Sequence, residues 1–519
     1  MKLAHRPLRF VVIPPPASRS AAPSMQQMLR MMHLDERGDW LPPALKRSRP
    51  RPAAAPAVRP SAKSAIDVVK RSAADGSLLL APGTCGEIRI EQLMARMPAG
   101  MKIFEERWYS LDRPARPWAV GGSGLKRPQV GKSSTQVFAV TVRVGGGRPR
   151  ALADATVTVM VDEDLGIGLE ATTDRYGKAQ FELSAKTRRL DAVYVTPLHS
   201  GWPARAAEVV LGQEGLEFEV LPIDLAAADV RGTVQGRPPA GAGKAVRVAV
   251  IDTGVGPHHS LNLKRARNTT ATESSMRTRD EDGHGTHVAG VIASAAPGWR
   301  RGEASAVELH AYRIFESGSA LASNFAIASA IKDAALQWCD LVNLSIGGGE
   351  ADEVIRDAIE FAWARGCVCV AATGNDGQDP IDYPARYERA LAVSAIGLIG
   401  SWPLGAALDW TLSDLRGNAF EGQESFAASF SNYGDKVALT APGVAVVSCI
   451  PGSRWGVMSG TSMATPIATG VLARRLAASP GVTNLSRNAE RAARIVQMAL
   501  AAAEDIGLPA SRQGRGLVR

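Results

Sequence analysis

Three residues that can take part in nucleophilic chemistry lie in separate segments of this sequence. Asp252 ends the apolar run VAVID, His284 stands between two glycines in DGHGTHVAG, and Ser462 lies in GTSMATP. A serine hydroxyl becomes a nucleophile when a histidine takes its proton and a carboxylate orients that histidine. The chain order Asp, His, Ser is one of the orders in which such triads occur. Asp252, His284 and Ser462 are therefore candidates for a catalytic triad.

Each of the three residues also has a purely structural interpretation. Asp252 would cap the element after its strand, and a serine before an alanine-rich stretch is commonly a helix N-cap. The pair His284 and His287 suggests a metal site, but the glutamate of an HExxH motif is missing. Pro466 is compatible with a helix only in its first turn, so the helix is predicted to begin near Ser462. A serine at a helix start has an N–H that can bind an anion.

The residues around all three positions decide between these interpretations. The segments AVIDTGV, DGHGTHVAGVIAS and GTSMATPIATGV resemble the motifs of the subtilisin-like serine peptidases (subtilases). The resemblance covers about residues 245–519 and includes the closing GRGLV, which is similar to the last strand of the family. It implies that His284 is the general base, that Asp252 orients it and that Ser462 attacks the peptide bond.

The resemblance also assigns residues that bind the substrate. Asn375, in AATGNDG, is similar to the asparagine whose amide donates into the oxyanion hole, although an Asn after a Gly is often only a turn residue. Ser345, Ile346 and Gly347, in LSIGG, resemble the strand to which an extended peptide adds. The predicted substrate is therefore a protein or peptide.

Two positions depart from the family pattern. Asp382 stands at the base of the expected specificity pocket, where a small or neutral residue is common, so a basic residue before the cleaved bond is predicted. A solvated loop carboxylate is the alternative for Asp382. Residues 294–301, SAAPGWRR, replace the expected calcium loop and offer cations instead of oxygen ligands. No metal and no cofactor is predicted.

The elements that must position these residues are those of an α/β fold. Apolar strand-like runs such as VRVAVID, DLVNLSIGG and CVCVAATGN alternate with helical patterns at 286–294, 323–338 and 353–365. This alternation predicts a parallel sheet with helices on both faces over residues 245–519.

Several units are predicted before the catalytic domain. Residues 1–62 are rich in Pro, Ala and Arg and predict a disordered arm, and residues 65–112 predict a small prodomain-like α+β module. Linkers are expected at 113–134 and 230–244. Residues 135–222 alternate as short strands and predict a β-sandwich. In that sandwich, ATV at 155–157 and TDRYGKA at 173–179 resemble immunoglobulin-like or carboxypeptidase-regulatory-like domains.

Charge and cysteine content limit the partners and the compartment. Residues 1–62 hold eleven Lys or Arg against three acidic residues, which accounts for most of the net charge of +9. This arm has few aromatic residues for base stacking, so no nucleic-acid partner is predicted. No segment is long enough to span a bilayer. Five cysteines without metal spacing and a short apolar N-terminal run favour the cytoplasm, with an organelle transit peptide as an alternative.

The predicted function is serine endopeptidase activity that is latent until the N-terminal region is processed, with self-cleavage expected near 231–244. The alternative is a binding or scaffold protein in which the sandwich recognises a protein partner and proteolysis is directed only at the chain itself.

Overall fold

The computed structural model describes residues 9–14, 28, 32, 66–82, 101–111, 125–128, 135–212, 215–348, 350–407 and 424–519. The N-terminal part contains five strands: β1 (Phe10–Ile13), β2 (Ile66–Arg71), β3 (Leu78–Pro82), β4 (Lys102–Glu105) and β5 (Trp108–Leu111). The first four form an antiparallel sheet in the order β2-β3-β1-β4.

Strand β1 corrects the prediction of a disordered arm over residues 1–62. Phe10–Ile13 is a buried strand that pairs with β3 on one side and β4 on the other. Its partners lie more than sixty residues away in the sequence, so the local composition, rich in Pro and Arg, did not reveal the pairing. The stretch EIRIEQLMARM, whose pattern predicts the helix of the α+β module at 65–112, lies outside the described residues.

The middle of the chain forms two sheets of four strands each, with the orders β10-β6-β13 (with β7 beside β6) and β12-β11-β8-β9. A single hydrophobic cluster contains side chains from both sheets, such as Val140 and Phe181 of one and Val157 and Val193 of the other. The strands are β6 (Thr135–Val144), β7 (Arg150–Ala151), β8 (Ala155–Asp162), β9 (Ile167–Thr172), β10 (Lys178–Ser184), β11 (Arg189–Pro197), β12 (Ala204–Val210) and β13 (Leu216–Val220).

Both predicted linkers contain regular contacts. In the first, the backbone of Lys126 forms a bridge with Ile167 at the start of β9. In the second, Val230–Gln235 form a helix, α1, which is capped by the Asp229 carboxylate accepting from the Gly232 N–H. The predicted linker 230–244 therefore begins with a helix whose first residues are buried.

The remaining strands belong mainly to the large sheet of the C-terminal half. They are β14 (Arg247–Asp252), β15 (Leu263–Asn268), β16 (Glu308–Arg313), β17 (Leu321–Ser323), β18 (Leu341–Leu344), β19 (Ile346–Gly347), β20 (Val368–Ala372), β21 (Ala390–Leu398), β22 (Ser425–Ala427), β23 (Leu439–Pro442), β24 (Val446–Ile450), β25 (Arg454–Met458), β26 (Ala503–Glu504) and β27 (Leu517–Val518).

The large sheet has the order β15-β16-β14-β18-β20-β21-β23-β27-β26, and it is parallel from β15 to β27. This confirms the predicted parallel sheet. The helices are α2 (His284–Ala293), α3 (Asn324–Leu336), α4 (Glu353–Trp363), α5 (Thr461–Ala477), α6 (Pro480–Thr483), α7 (Ala489–Ala501) and α8 (Ala510–Gln513), with a 3-10 turn at Gly298–Arg300.

Helices cover both faces of the large sheet. Along β14, Val248 and Val250 belong to the hydrophobic cluster that contains α2 and α5. Ala249 and Ile251 belong to a second cluster, which contains α3 and α4. Alternate residues of a strand point to opposite faces, so the two clusters lie on opposite sides of the sheet. In the described part of the chain, no helix is long and apolar enough to cross a membrane.

Candidate active site

The candidate site lies at the carboxyl edge of three neighbouring parallel strands. Asp252 is the last residue of β14, Ser345 follows β18 directly, and Asn375 lies in the loop after β20. Strands β14, β18 and β20 are adjacent in the sheet, so their carboxyl ends lie side by side. This edge is where open α/β sheets place functional groups.

Asp252 and His284 form a buried hydrogen-bonded pair. His284 Nδ1 lies 2.8 Å from Asp252 Oδ1, and the two residues are 4% and 0% exposed. The same carboxylate oxygen accepts the N–H of Thr253 at 2.7 Å. Since a carboxylate can only accept, Nδ1 carries the proton and Nε2 is the basic nitrogen of the neutral ring. The pair therefore has the tautomer that a general base needs.

The two glycines beside His284 allow the backbone on either side of it to approach its neighbours closely. Gly283 caps α2 with φ +104°, a conformation that favours glycine. A Cβ added at Gly285 would overlap the carbonyl oxygen of Gly254 and lie 3.0 Å from the Asp252 Cβ. The first turn of α2 is thus pressed against the end of β14, which brings the imidazole to Asp252.

Asp280 organises this turn, a role that was not predicted from the sequence. Its Oδ1 accepts from the Thr253 hydroxyl at 2.9 Å and from the backbone N–H groups of Asp282 and Gly283 at 2.9 and 2.8 Å. Its Oδ2 accepts from the N–H and the hydroxyl of Thr286. One buried carboxylate therefore connects the strand end after Asp252 to the start of α2. Its position four residues before His284 is the only sequence signal of this role.

Ser462 is the second residue of α5 and contacts the Ser345 backbone. Its hydroxyl donates to the Ser345 carbonyl oxygen at 3.2 Å. In return, the Ser345 hydroxyl donates to the Ser462 carbonyl oxygen at 3.0 Å. The helix begins at Thr461, which confirms the predicted start near Ser462.

Pro466 lies in the second turn of α5 rather than the first, which corrects the prediction. A proline has no N–H to donate to the carbonyl four residues earlier, which here belongs to Ser462. The Ser345 hydroxyl donates to that carbonyl instead, so a helix with an internal proline is tolerated. The same contact fixes the start of α5 on the end of β18.

Asn375 is held by the residue that precedes Ser462. Its Oδ1 accepts the Thr461 N–H at 2.9 Å and the Thr461 hydroxyl at 3.0 Å. Asn375 is buried, and these two donors identify the oxygen end of its amide. The Nδ2 end is therefore directed away from the Thr461 N–H.

A strand of the N-terminal part lies beside this site, and its position was not predicted. Strand β5 pairs antiparallel with β17, where Ser110 lies opposite Leu321 and Tyr109 opposite Ala322. On its other side β5 pairs antiparallel with β19, where Leu111 lies opposite Ile346 and Ser110 opposite Gly347. Ile346 and Gly347, two of the three residues predicted to bind an extended peptide, thus pair with an extended segment of the same chain.

Asp382 lies against the loop of Asn375. Its N–H donates to the Thr373 carbonyl at 2.9 Å, and a Cβ added at Gly374 would lie 2.5 Å from its Oδ2. Burial and, to a smaller extent, the Asp376 carboxylate together raise the pKa of the Asp382 carboxyl to about 6. Asp382 is half-buried, so the alternative of a fully solvated loop carboxylate does not describe it.

The second histidine of the HxxH pair faces a different group. His287 Nε2 lies 3.0 Å from the Val446 carbonyl oxygen, and burial lowers the pKa of His287 to about 3. His284 Nδ1 is bonded to Asp252, so both rings already use a nitrogen for an oxygen partner in the protein. In the described ranges, no group of three His, Cys, Asp or Glu side chains is arranged to hold a metal ion.

Two buried guanidinium groups meet at the segment after α2: that of Arg300, which lies in the segment, and that of Arg231, which comes from α1. Arg300 Nη1 lies 3.7 Å from Asp229 Oδ2, and its Nη2 donates to the Ala227 carbonyl. Arg231 donates to the carbonyls of Trp299 and Arg301 at 2.6 and 2.5 Å. Calcium sites are built from carboxylate and carbonyl oxygens. Here the two guanidinium groups bind a carboxylate and several carbonyl oxygens instead.

Comparison with known proteins gives consistent matches over the same part of the chain. Residues 243–516 match the Subtilase family. The M-protease of Shouchella clausii (strain KSM-K16) is 34% identical over 298 residues, which are 57% of this chain and 68% of that protein. Subtilisin Savinase of Lederbergia lenta is 36% identical over 245 residues, 47% of this chain and 80% of that protein. An alkaline protease of Shouchella clausii is 32% identical over 334 residues, 64% of this chain and 77% of that protein.

Proposed function

The chain belongs to the subtilase family of subtilisin-like serine endopeptidases, and from that premise we propose that Asp252, His284 and Ser462 are its catalytic triad. The observation that carries this assignment is the buried 2.8 Å contact between His284 Nδ1 and Asp252 Oδ1. It lies at the sheet edge where Ser345 contacts the Ser462 hydroxyl. The substrate class is proteins or peptides.

The proposed reaction follows from the positions of these groups. His284 Nε2 takes the Ser462 proton as the hydroxyl oxygen attacks the carbonyl carbon, and the charge that forms on the imidazole is stabilised by Asp252. The Ser462 N–H, at the positive end of α5, and the Asn375 amide donate to the oxyanion. The leaving amine takes the proton from His284, and water then hydrolyses the acyl-enzyme.

We further propose that the enzyme is made in a latent form, with β5 in the place of the substrate. An extended substrate is held by main-chain hydrogen bonds between β17 and β19, and β5 already makes such bonds with both strands. Tyr109, which is 2% exposed, also belongs to the hydrophobic cluster that contains α3 and α4. A substrate must therefore displace β5 before it can bind.

Polar contacts support this latency by holding the N-terminal sheet on α3 and α4. Lys332 of α3 lies 2.6 Å from Asp75, and Asp357 of α4 lies 2.8 Å from Lys102. The Asn324 N–H, at the start of α3, donates to the Arg107 carbonyl at 2.8 Å. The prodomain-like module predicted at 65–112 is therefore proposed to extend back to Phe10 and to act as an inhibitor.

A preference for a basic residue before the cleaved bond is proposed on the position of Asp382. The carboxyl lies directly behind Gly374, next to the loop that carries Asn375. Asp376 contributes a second acidic group, whose effect on Asp382 shows in the raised pKa of that residue. Two carboxyl groups near the oxyanion loop favour a cationic side chain of the substrate.

The two sheets of residues 135–220 are proposed to form an accessory β-sandwich of the immunoglobulin-like or carboxypeptidase-regulatory-like type. Their shared hydrophobic cluster supports this arrangement. A protein partner of the sandwich, and a scaffold role with only self-directed proteolysis, remain the alternative function. A cytoplasmic location also stays a proposal, and it is supported by the buried, free state of Cys339, Cys367, Cys369 and Cys449.

Hydrolysis of casein and of a fluorogenic peptide with Arg before the cleaved bond tests the proposed function. Full-length wild type is expected to cleave both after a lag in which the N-terminal part is removed, and Ser462→Ala is expected to cleave neither. Hydrolysis by the two proteins at equal rates would contradict the assignment of Ser462.

A further inference from the structure

The hairpin formed by β24 and β25 connects α2, the helix of the proposed general base, with α5, the helix of the proposed nucleophile. On one side the hairpin packs on α2. The Ser448 hydroxyl donates to the His287 carbonyl at 2.8 Å, and His287 Nε2 lies 3.0 Å from the Val446 carbonyl oxygen. At its other end β25 finishes at Met458, shortly before Ser462. A shift of the hairpin would therefore reach both helices.

Gly456, in the middle of β25, contacts both α2 and the two sheets of residues 135–220, which are called the accessory sheets below. Burial lowers the pKa of His287 to about 3, and backbone hydrogen bonds to Val446 and Gly456 act against this effect. A Cβ added at Gly456 would lie 2.4 Å from the Leu198 carbonyl oxygen. Since that oxygen belongs to the backbone, the accessory sheets lie as close to β25 as a glycine permits.

The Leu198 side chain reaches the turn that precedes His284. Leu198 directly follows β11 and is half-buried. A Cβ added at Gly283 would have Leu198 Cδ1 as its nearest neighbour at 3.3 Å, followed by atoms of Pro451 and Ile450 at 3.7 and 3.8 Å. Glycine has the most flexible backbone, so the packing of these apolar side chains restricts a residue that has no side chain of its own.

Other contacts fix the accessory sheets on the same hairpin. The Ser200 N–H donates to the Trp455 carbonyl at 2.7 Å, and Asp154 lies 3.2 Å from Arg454. Trp202 is 6% exposed and belongs to the hydrophobic cluster that contains α2 and α5. The accessory sheets are thus packed on the catalytic domain at several points along β25.

We propose that Leu198 is a positioning residue, which packs on Gly283 and on the β24–β25 hairpin and thereby keeps His284 aligned with Ser462. It rests on the peptidase function above and deepens it, because the accessory sheets become part of the catalytic machinery. Leu198 lies outside residues 243–516, the part of the chain that matches the family. In this role it touches neither the substrate nor the reacting atoms.

The expected consequence is a change in kcat rather than in KM. The general base must lie within hydrogen-bond reach of the serine proton, and a misplacement of about 1 Å can lower the rate by about 10². Ile346 and Gly347, which are predicted to hold the substrate, lie on β19, whereas β25 pairs with β24. Substrate binding is therefore expected to change little when Leu198 is shortened.

A removable binding module would behave differently. In the alternative function the accessory sheets recognise a partner, and a flexible linker is enough to attach a module of that kind. Its core could then be weakened, or its contact with β25 lost, without an effect on kcat. Kinetics of interface and core variants therefore distinguish the two roles.

Steady-state kinetics of the processed enzyme on the Arg peptide test the proposal, with active sites titrated by a fluorophosphonate. Leu198→Ala is expected to lower kcat by about tenfold or more and to change KM by less than about twofold. Leu198→Met keeps a long apolar side chain and is expected to restore kcat to within about twofold of wild type. A wild-type kcat in Leu198→Ala would overturn the proposal.

A core variant of the accessory sheets separates positioning from stability. Val193 is 0% exposed and lies in the hydrophobic cluster shared by the two sheets. Val193→Ala is expected to lower the Tm and to leave kcat unchanged, because its side chain packs away from the hairpin. A kcat that falls in Val193→Ala as much as in Leu198→Ala would show a general loss of stability and overturn the proposal.

Two glycine variants test the same contact from the catalytic domain. Gly456→Ala places a methyl group against the Leu198 carbonyl and is expected to lower kcat by about tenfold or more. Gly481→Ala, where an added Cβ has no neighbour within 4 Å, is the matched control and is expected to keep the wild-type kcat. Equal kcat values in the two variants would contradict the role of the contact.

The wild-type enzyme distinguishes failure of this proposal from failure of the peptidase function. Wild type that hydrolyses the peptide, together with Leu198→Ala of equal kcat, would contradict the positioning role alone. Wild type that neither hydrolyses the peptide nor labels with the fluorophosphonate would contradict both.

Discussion

Asp280 accepts two hydrogen bonds from Thr286, one from its backbone N–H at 2.8 Å and one from its hydroxyl at 2.5 Å. Thr286 lies two residues after His284, in the first turn of α2. The Thr286 hydroxyl also accepts the Gly256 N–H at 2.9 Å, so the contact reaches the loop after β14. Asp280 therefore positions His284 relative to Asp252 without touching the reacting atoms.

Replacement of this carboxylate tests its positioning role. Asp280→Ala leaves several buried donors without an acceptor, so the free energy of unfolding is expected to fall by about 2–4 kcal/mol. Urea unfolding in the Ser462→Ala background measures the loss without self-digestion. The exposed Asp164→Ala is the matched control and is expected to change stability by less than about 0.5 kcal/mol. Equal stability of the two variants would contradict the role.

Asn375 is expected to act on the transition state rather than on substrate binding. Asn375→Ala is predicted to lower kcat by about 10²–10³ and to leave KM nearly unchanged, because the oxyanion forms only during the reaction. Steady-state kinetics of processed enzyme on a peptide substrate measure both constants. The Thr461 N–H also loses its acceptor in this variant, so a thermal melt must accompany the kinetics. A rise in KM with unchanged kcat would contradict the oxyanion role.

The raised pKa of Asp382 predicts a pH dependence of specificity. Its carboxyl, with a pKa of about 6, is mostly protonated below that pH and charged above it. The ratio of kcat/KM for an Arg substrate to that for a Leu substrate is therefore expected to rise as the pH increases from 5 to 7.

The control for this prediction is Asp382→Asn, which keeps the shape of the side chain and cannot titrate. In this variant the ratio of kcat/KM for the Arg substrate to that for the Leu substrate is expected to stay low and constant between pH 5 and 7. Asp164→Asn is expected to behave as wild type. A wild-type ratio that falls or stays constant as the pH rises would exclude Asp382 as the specificity group.

The buried guanidinium groups of Arg300 and Arg231 predict stability without a metal. Arg300→Ala removes one of the two guanidinium groups near the Asp229 carboxylate, which is 1% exposed, and leaves only Arg231. The free energy of unfolding is therefore expected to fall by about 3 kcal/mol. Exposed Arg148→Ala is the control and is expected to have little effect. Incubation of wild type with a chelator is expected to leave its Tm unchanged. A Tm that falls on chelation would contradict the account.

Local sequence patterns were sufficient for the parts of the site that depend on local geometry. Asp252, His284 and Ser462 each lie in a short segment whose glycines and apolar residues determine the turn around them. Asn375 was singled out by the resemblance of AATGNDG to a family motif, because the Gly374 that precedes it indicates only a turn.

The features that were missed depend on pairing between distant residues. Strand β1 needs β3 and β4, and β5 needs β17 and β19, so neither role can be inferred from composition near Phe10 or Leu111. Trp202 likewise belongs to a hydrophobic cluster whose other buried members all lie later in the sequence, from Val230 to Val518. Asp280 lies between the local and the long-range cases. Most of its partners are near in sequence, but its burial arises only when α2 packs against β14.

Labelling of the enzyme with a fluorophosphonate, after expression of the full-length chain and its self-processing, tests the catalytic triad when it is followed by peptide mapping of the modified residue. We expect stoichiometric labelling at Ser462, which is lost in Ser462→Ala and strongly slowed in His284→Ala and Asp252→Ala. Labelling at another serine, or unchanged labelling of the His284 variant, would contradict the assignment of Asp252, His284 and Ser462 as the catalytic triad.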